Sequence, residues 1–291
     1  LILGRGRRTK VGGLQKHAVG KSVDRRCGFG WLKNRHAKIL LGMSAQTPKF
    51  HPVLSINGVP VEMSSPLVHF VSGCAVDADG APKCYHPSDW GPRTEWKPEN
   101  RAPYGLDAPE NGGRAHRTEG GLWVVDDSWG WVTDDGQRNG RPVIQSASDP
   151  APGYYVSKTS LRDPSFGATD PRSYVWADKV PYVAVPRRLL EEPFSVRMGD
   201  LALVTYERKR CFAIIADVGS NEHIGEGSLA LIQAIGDGGS TPRNGGITSG
   251  VAFYIFCGTA RTFRFAPYHR DRVPGEIENA GLAVARQYGI L

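Results

Sequence analysis

Two carboxylates, Asp217 and Glu226, are the residues of this sequence whose types and spacing best suit chemistry. They lie nine residues apart within residues 211–236. Hydrolysis of a glycosidic bond needs one protonated and one ionised carboxyl group, roughly 6.5–9.5 Å apart when a water molecule must fit between base and sugar. A loop of nine residues can span that separation. The pair is therefore a candidate acid and base, although an acidic residue at a strand end also commonly serves a turn or a cap.

The flanking residues predict how the two acids are held. Residues 212–216 form a continuous apolar and partly β-branched run, which predicts a core strand, the second of a hairpin, that ends on Asp217. Glycines around Glu226 predict a loop that faces Asp217. Ser228 then predicts the cap of a short helix, and Gly236 predicts a left-handed stop at its end. The predicted helix buries one face, formed by Leu229, Ile232 and Ile235.

The composition predicts a mainly β protein. The 291 residues include 36 Gly and 21 Pro and are 40% hydrophobic, which suits many short strands and turns around one large core or two modest ones. Asn57-Gly58 predicts a tight hairpin. Residues 247–257 predict a buried strand that closes the sheet into a small β-barrel, and residues 277–288 predict an amphipathic C-terminal helix that caps it. Because no apolar run approaches about 20 residues, the pattern excludes a membrane-spanning helix.

The charge is concentrated in residues 1–43, which carry eleven Lys and Arg residues against a single Asp, whereas the remainder has a net charge of −3. A basic arm can bind nucleic acid or anionic surfaces. We interpret it instead as a solvated, disordered or mis-started extension, and we expect no nucleic-acid partner. Residues 44–291 are expected to form a single catalytic domain.

The cysteines and the remaining acids predict no metal or other cofactor. The five cysteines form no C-x-x-C pair, which argues against a zinc site. Cys74 and Cys84 could bridge a hairpin in an oxidising compartment, and Cys211 and Cys257 are expected to be buried thiols. Residues 77–80, D-A-D-G, lack the spacing of an EF-hand and predict a turn with exposed acids.

Five blocks occur in an order that resembles a known family. They are A-V-D-A-D-G-A-P-x-x-Y-H-P at residues 75–87, G-L-D at 105–107, S-A-S-D-P-A-P-G-Y-Y-V-S-K-T-S-L-R-D-P-S at 146–165, A-D-V-G at 216–219 and G-E-G-S at 225–228. The chain from about residue 76 to 258 resembles glycoside hydrolase family 75, the fungal-type chitosanases. The resemblance implies a secreted, endo-acting, inverting enzyme that cleaves β-1,4 linkages between glucosamine units. It also implies a small barrel of the double-psi type, with Asp217 as general base and Glu226 as general acid.

Four further residues are candidates for contact with chitosan or partly acetylated chitosan. Tyr154 and Tyr155 are adjacent and should point to opposite faces, so that one packs inside and the other offers a sugar platform with cation–π capacity. Asp107 and Asp149 are candidate carboxylates for a cationic polymer, although Asp149-Pro150 equally predicts a turn. We expect a monomer.

Two other functions and one chemical question stay open at the level of sequence. The alternatives are a non-hydrolytic carbohydrate-binding or wall-loosening barrel and a hydrolase of a related amino-sugar polymer such as peptidoglycan. A helix that begins at Ser228 would favour ionised Glu226, which opposes the protonated state that a general acid needs. Which acid carries the proton is therefore unresolved.

Overall fold

A computed structural model describes residues 47–88, 105–107, 115–117, 123–125, 130–137, 140–236, 238–243 and 245–291. The predicted basic extension, residues 1–43, lies outside the described residues. Its separation from a domain at 44–291 stays a prediction. No helix among the described residues is long and apolar enough to cross a membrane.

Ten strands and two helices occur within the described residues. In chain order they are β1 (His51–Ile56), β2 (Val59–Ser64), β3 (Leu67–Asp77), β4 (Ala115–Arg117), β5 (Trp123–Val125), β6 (Tyr182–Pro186), β7 (Leu201–Tyr206), β8 (Lys209–Gly219), β9 (Glu226–Ser228), α1 (Leu229–Ile235), β10 (Gly246–Phe256) and α2 (Val273–Gln287). The sequence prediction of a mainly β protein with a C-terminal helix is confirmed.

Six strands close into a barrel in the order β3–β10–β7–β8–β6–β9, and β9 returns to β3 in parallel. The β1–β2 hairpin extends the sheet beyond β3, and its turn contains Asn57 and Gly58 at positive φ, as the Asn-Gly pair predicts. Strands β4 and β5 form a separate two-stranded sheet. The closed barrel is thus confirmed, while its double-psi subtype stays a prediction.

Alternation along the strands supplies two apolar clusters on opposite faces of the barrel wall. Leu203 of β7 and Ile214 of β8 belong to one cluster, and Val204 and Ile215 belong to the other. Such alternation is the period-two pattern of a strand buried on both faces, and each buried aliphatic side chain contributes about 1.5–3 kcal/mol. Helix α2 packs on the first cluster through Val273, Ile277, Val284 and Ala285.

The elements around the two acids form largely where the sequence places them, with two differences. Strand β8 pairs with β7 as a hairpin, but it continues to Gly219, so that Asp217 lies within the strand and not at its end. Ser228 caps α1 as predicted, because its Oγ accepts a hydrogen bond from the Leu231 N–H at 3.1 Å. The predicted left-handed stop is wrong, since Gly236 has φ −102°.

Candidate active site

Asp217 is held by hydrogen bonds to one carboxyl oxygen. Its Oδ1 accepts from the Ser160 hydroxyl at 2.6 Å, from the Ser160 N–H at 3.0 Å and from the Val218 N–H at 2.7 Å. Burial raises the pKa of Asp217 above its ordinary value, whereas the donors from Ser160 and Val218 and the charge of Lys158 lower it. The pKa of Asp217 is therefore lower than burial alone would make it, which favours the ionised form.

Glu226 has a different environment. It opens the short strand β9 between Gly225 and Gly227, and not the loop that the sequence predicts. Its carboxyl group accepts no hydrogen bond from a described residue, and its Oε2 lies 2.7 Å from the point where a Cβ on Gly219 would be. Burial first, and then the charges of Asp217 and Asp107, raise the pKa of Glu226 to about 7. This environment favours the protonated form.

Strand pairing places the two acids in one row. Ala184 of β6 is in register with Asp217 on one side and with Glu226 on the other. Residues in register across a sheet point to the same face, and neighbouring strands lie about 4.8 Å apart, so the two Cα atoms are separated by about 10 Å. This spacing is compatible with carboxyl groups separated by the roughly 6.5–9.5 Å of an inverting pair.

Three more carboxylates gather around this row. Asp77 ends β3, which lies beside β9, and Asp107 is buried with its N–H donating to the Cys84 carbonyl at 3.0 Å. Asp79 Oδ1 accepts from the Tyr85 hydroxyl at 2.6 Å. Burial and the neighbouring carboxylates raise the pKa of Asp77, and burial followed by the charge of Asp217 raises that of Asp79 to about 8. Like charges in one site disfavour simultaneous ionisation.

The turn predicted at residues 77–80 is present at Asp79 and Gly80, but the prediction that its acids are exposed is wrong. Asp77 is buried and Asp79 is partly buried. Sequence reasoning missed both residues as site components. The available signal was a D-x-D pair directly after a long strand with apolar alternation.

The four predicted substrate contacts have different surroundings. Tyr155 is only 4% exposed and packs beside Trp131, with ring centroids 6.1 Å apart, so it is the tyrosine of the pair that packs inside, and its contact with substrate stays a prediction. Tyr154 is partly exposed and meets His86 edge-on at 4.7 Å. The pair thus divides into one buried and one accessible ring, as adjacent residues should. Asp107 is close enough to Glu226 for its charge to raise the pKa of that carboxyl.

Asp149 belongs to a turn. Its Oδ2 accepts from the Ser146 N–H and from the Ser146 hydroxyl, both at 2.7 Å, and its charge acts on Arg172. These contacts match the turn alternative that the sequence left open, and a contact with substrate stays a prediction.

Cys74 and Cys84, for which the sequence left a bridge open, are both free and buried thiols. Cys84 Sγ lies 3.9 Å from Asp79 Oδ1, and Cys74 Sγ lies 3.9 Å from the Ala75 carbonyl. Cys211 is also buried, as predicted, whereas Cys257 is partly exposed and Cys27 lies outside the described residues.

The cap of α1 bears on the open question of the proton. The Ser228 hydroxyl accepts from the Leu231 N–H and from the Tyr182 N–H at 3.0 Å, so the cap is occupied by Ser228 itself. Glu226 lies two residues earlier, in β9. Burial and the neighbouring acids raise the pKa of Glu226. Comparisons of the chain with models of known protein families and with curated proteins found no match.

Proposed function

We propose that this protein is an endo-acting, inverting chitosanase that hydrolyses β-1,4 linkages between glucosamine units. The observation that carries the proposal is the row Asp217–Ala184–Glu226, in which two carboxyl groups lie on one face and, among the described residues, only that of Asp217 accepts hydrogen bonds that oppose the rise in its pKa. An inverting glycosidase needs this combination of spacing and protonation. The resemblance to family 75 chitosanases is consistent with it.

In the proposed mechanism, protonated Glu226 donates its proton to the glycosidic oxygen as the bond to C1 breaks. Ionised Asp217 accepts a proton from a water molecule on the opposite side of the ring, and the water oxygen bonds to C1. One water is consumed, the leaving sugar gains a hydroxyl group, and the configuration at C1 inverts. Asp217 then releases its proton and Glu226 regains one before the next cycle.

The charge around the row supports a cationic polymer as substrate. Five carboxyl groups around the row influence one another electrostatically, namely those of Asp77, Asp79, Asp107, Asp217 and Glu226. Lys158 supplies a positive charge among them. Clefts with an excess of one charge attract ligands of the other sign. Those carboxyl groups of the row that are ionised can pair with ammonium groups of glucosamine, and Tyr154 offers an aromatic face at the accessible side. Secretion and a monomeric state are proposed from the family resemblance alone.

The test is the release of reducing ends from chitosan, with chitin and peptidoglycan as comparison substrates. We expect chitosan to be cleaved fastest, and Asp217→Asn and Glu226→Gln to abolish cleavage while far-UV circular dichroism stays unchanged. Binding of chitosan without reducing ends would favour a non-hydrolytic module. A preference for peptidoglycan would favour a hydrolase of that polymer, and near wild-type turnover in either variant would contradict the assigned roles.

A further inference from the structure

The Glu226 side chain extends across strand β6. Glu226 begins β9, and β6 lies between β9 and β8 in the barrel. Its Oε2 nevertheless lies 2.7 Å from the point that a Cβ on Gly219 of β8 would occupy. Gly219 follows Asp217 by two residues on the same strand, so the carboxyl group of Glu226 reaches over β6 towards the strand that carries the proposed base.

The residue of β6 beside this path is Ala184. It is in register with Glu226 on one side and with Asp217 on the other, and it is only 3% exposed. Cβ atoms of paired residues on antiparallel strands lie about 4.5–5.5 Å apart, so the Ala184 methyl group lies beside the first carbons of the Glu226 side chain. Any larger side chain at position 184 would enter the space that Glu226 crosses.

Ala184 differs from its neighbours on β6 in what it packs against. Val183 and Val185, on either side of it, belong to the apolar cluster that contains Ile215. Ala184 belongs to none of the apolar clusters that the described residues form. Its side chain therefore faces the two acids, and packing within an apolar cluster does not account for its small size.

A β-bulge places Asp217 on the same face as Ala184. On β6, Ala184 pairs with Asp217, and the residue before it pairs with Ile215. Ala216 is therefore an extra residue of β8, whose carbonyl accepts from the Leu161 N–H at 2.8 Å. With regular alternation, Asp217 would lie on the face of Ile215, in an apolar cluster. The backbone thus brings both acids to the face of Ala184.

We propose that Ala184 is a positioning residue whose small side chain lets Glu226 extend across β6 to its place beside Gly219. The role of Glu226 as the acid rests on the proposed function, whereas the path of its side chain does not. In Ala184→Val, two methyl groups enter that path, and a displacement of about 1 Å can cost about 100-fold in rate. Ala184→Gly leaves the path open.

The kinetic experiment measures kcat and KM on glucosamine oligomers. We expect Ala184→Val to lower kcat about 100-fold with little change in KM, and Ala184→Gly to keep most of the wild-type kcat. Ala202→Val is the matched control, because Ala202 is a fully buried alanine of β7 inside an apolar cluster, where added methyl groups lower stability and not kcat. Wild-type kcat in Ala184→Val would overturn the proposal.

A double variant tests whether the effect of position 184 passes through Glu226. In the Glu226→Gln background, Ala184→Val should lower kcat no further, because the carboxyl group that it displaces is already absent. A substrate with a nitrophenyl leaving group, which needs little protonation, should restore most of the rate in Ala184→Val. A loss in the double variant as large as in Ala184→Val alone would indicate general disruption and contradict the proposal.

Crystal structures of the full-length variants separate this proposal from the proposed function. Glu226 Oε2 should move away from Gly219 by about 1 Å or more in Ala184→Val and stay in place in Ala202→Val. An unmoved carboxyl group in Ala184→Val would overturn the proposal even if kcat fell. Absence of chitosan cleavage by the wild type would contradict the proposed function instead, and the two structures would still decide whether Ala184 positions Glu226.

Discussion

Asp217 and Glu226 occupy the same row of the same sheet but have opposite surroundings. Asp217 lies within β8, an eleven-residue strand, and receives three hydrogen bonds with Lys158 nearby. Glu226 begins β9, a three-residue strand, and its neighbours are a glycine and other acids. Burial raises the pKa of both carboxyl groups, so burial alone does not distinguish them.

The two sites differ in whether other interactions counteract the rise in pKa that burial causes. Hydrogen-bond donors and the positive charge of Lys158 stabilise the ionised form of Asp217 and lower its pKa. For Glu226, the negative charges of Asp217 and Asp107 raise the pKa further, in addition to burial. A protein can therefore obtain an acid and a base from two carboxyl groups, on residues whose Cα atoms are about 10 Å apart, by supplying hydrogen bonds to one of them.

The largest expected effect is on turnover, and the two variants should differ in how far a better leaving group restores it. Asp217→Asn and Glu226→Gln should each lower turnover on glucosamine oligomers by about 10²–10⁴-fold, the usual contribution of a general acid or base. A substrate with a nitrophenyl leaving group needs little protonation, so it should restore most of the rate in Glu226→Gln and little in Asp217→Asn. Initial rates on both substrates check this, and equal restoration in the two variants would remove the distinction between them.

A methyl group at Gly219 should disturb Glu226 alone. The Cβ in Gly219→Ala would lie 2.7 Å from Glu226 Oε2 and must displace the carboxyl group, which is the flexible end of its side chain. Misplacement by about 1 Å can cost up to about 100-fold in rate, so kcat should fall 10- to 100-fold while the melting temperature changes little. Gly167→Ala, where a Cβ meets no atom within 4 Å, is the control. Unchanged kcat in Gly219→Ala would argue against catalysis by Glu226.

The two acids should also differ in how much each lowers the free energy of unfolding at high pH. The folded pKa of Glu226, about 7, exceeds its ordinary value of 4.5, so the folded state binds more protons between these values and stability falls as pH rises through this range. Glu226→Gln should thus raise the free energy of unfolding by about 3 kcal/mol at pH 8 and by little at pH 4.

Asp217→Asn should gain less than Glu226→Gln at pH 8, because its hydrogen bonds favour the charged form that the amide lacks. Urea unfolding at both pH values measures the two differences. A larger gain for Asp217→Asn at pH 8 would invert the comparison between the sites.

The smallest effect is expected from one hydroxyl group. Ser160→Ala removes the 2.6 Å bond to Asp217 and leaves the backbone N–H in place. The pKa of Asp217 should rise, so the low-pH limb of kcat/KM should move about one pH unit higher. Ser165→Ala removes a similar bond, 2.7 Å from hydroxyl to Asp163 Oδ1, and should leave the limb in place. An equal shift in both variants would show that the effect is not specific to Asp217.

Local patterns made much of this architecture predictable. The buried strand before Asp217, the cap at Ser228, the Asn57-Gly58 turn and the C-terminal helix each follow from residue types within one element. The sequence also indicated the acid pair, and the division of Tyr154 and Tyr155 between surface and core follows from their adjacency.

The parts that were missed depend on pairing between distant segments. Glu226 is in a strand because residues 226–228 align in parallel with residues 75–77 of β3, a register that no local pattern encodes. The same pairing brings Asp77 beside the acid row and buries one of the acids predicted to be exposed. The influence of Lys158 was missed for the same reason, since the two carboxylates whose charges act on it, Asp79 and Asp217, come from other parts of the chain.

The most direct test of the central claim, that Asp217 activates water while Glu226 supplies the proton, is the anomeric configuration of the first product from a β-linked glucosamine oligomer, followed by ¹H NMR. Activation of water by Asp217 on the side of the sugar opposite the proton donor predicts inversion, so the α-anomer should appear first and convert to the equilibrium mixture later. Initial release of the β-anomer would indicate direct attack by a carboxylate and would contradict the account.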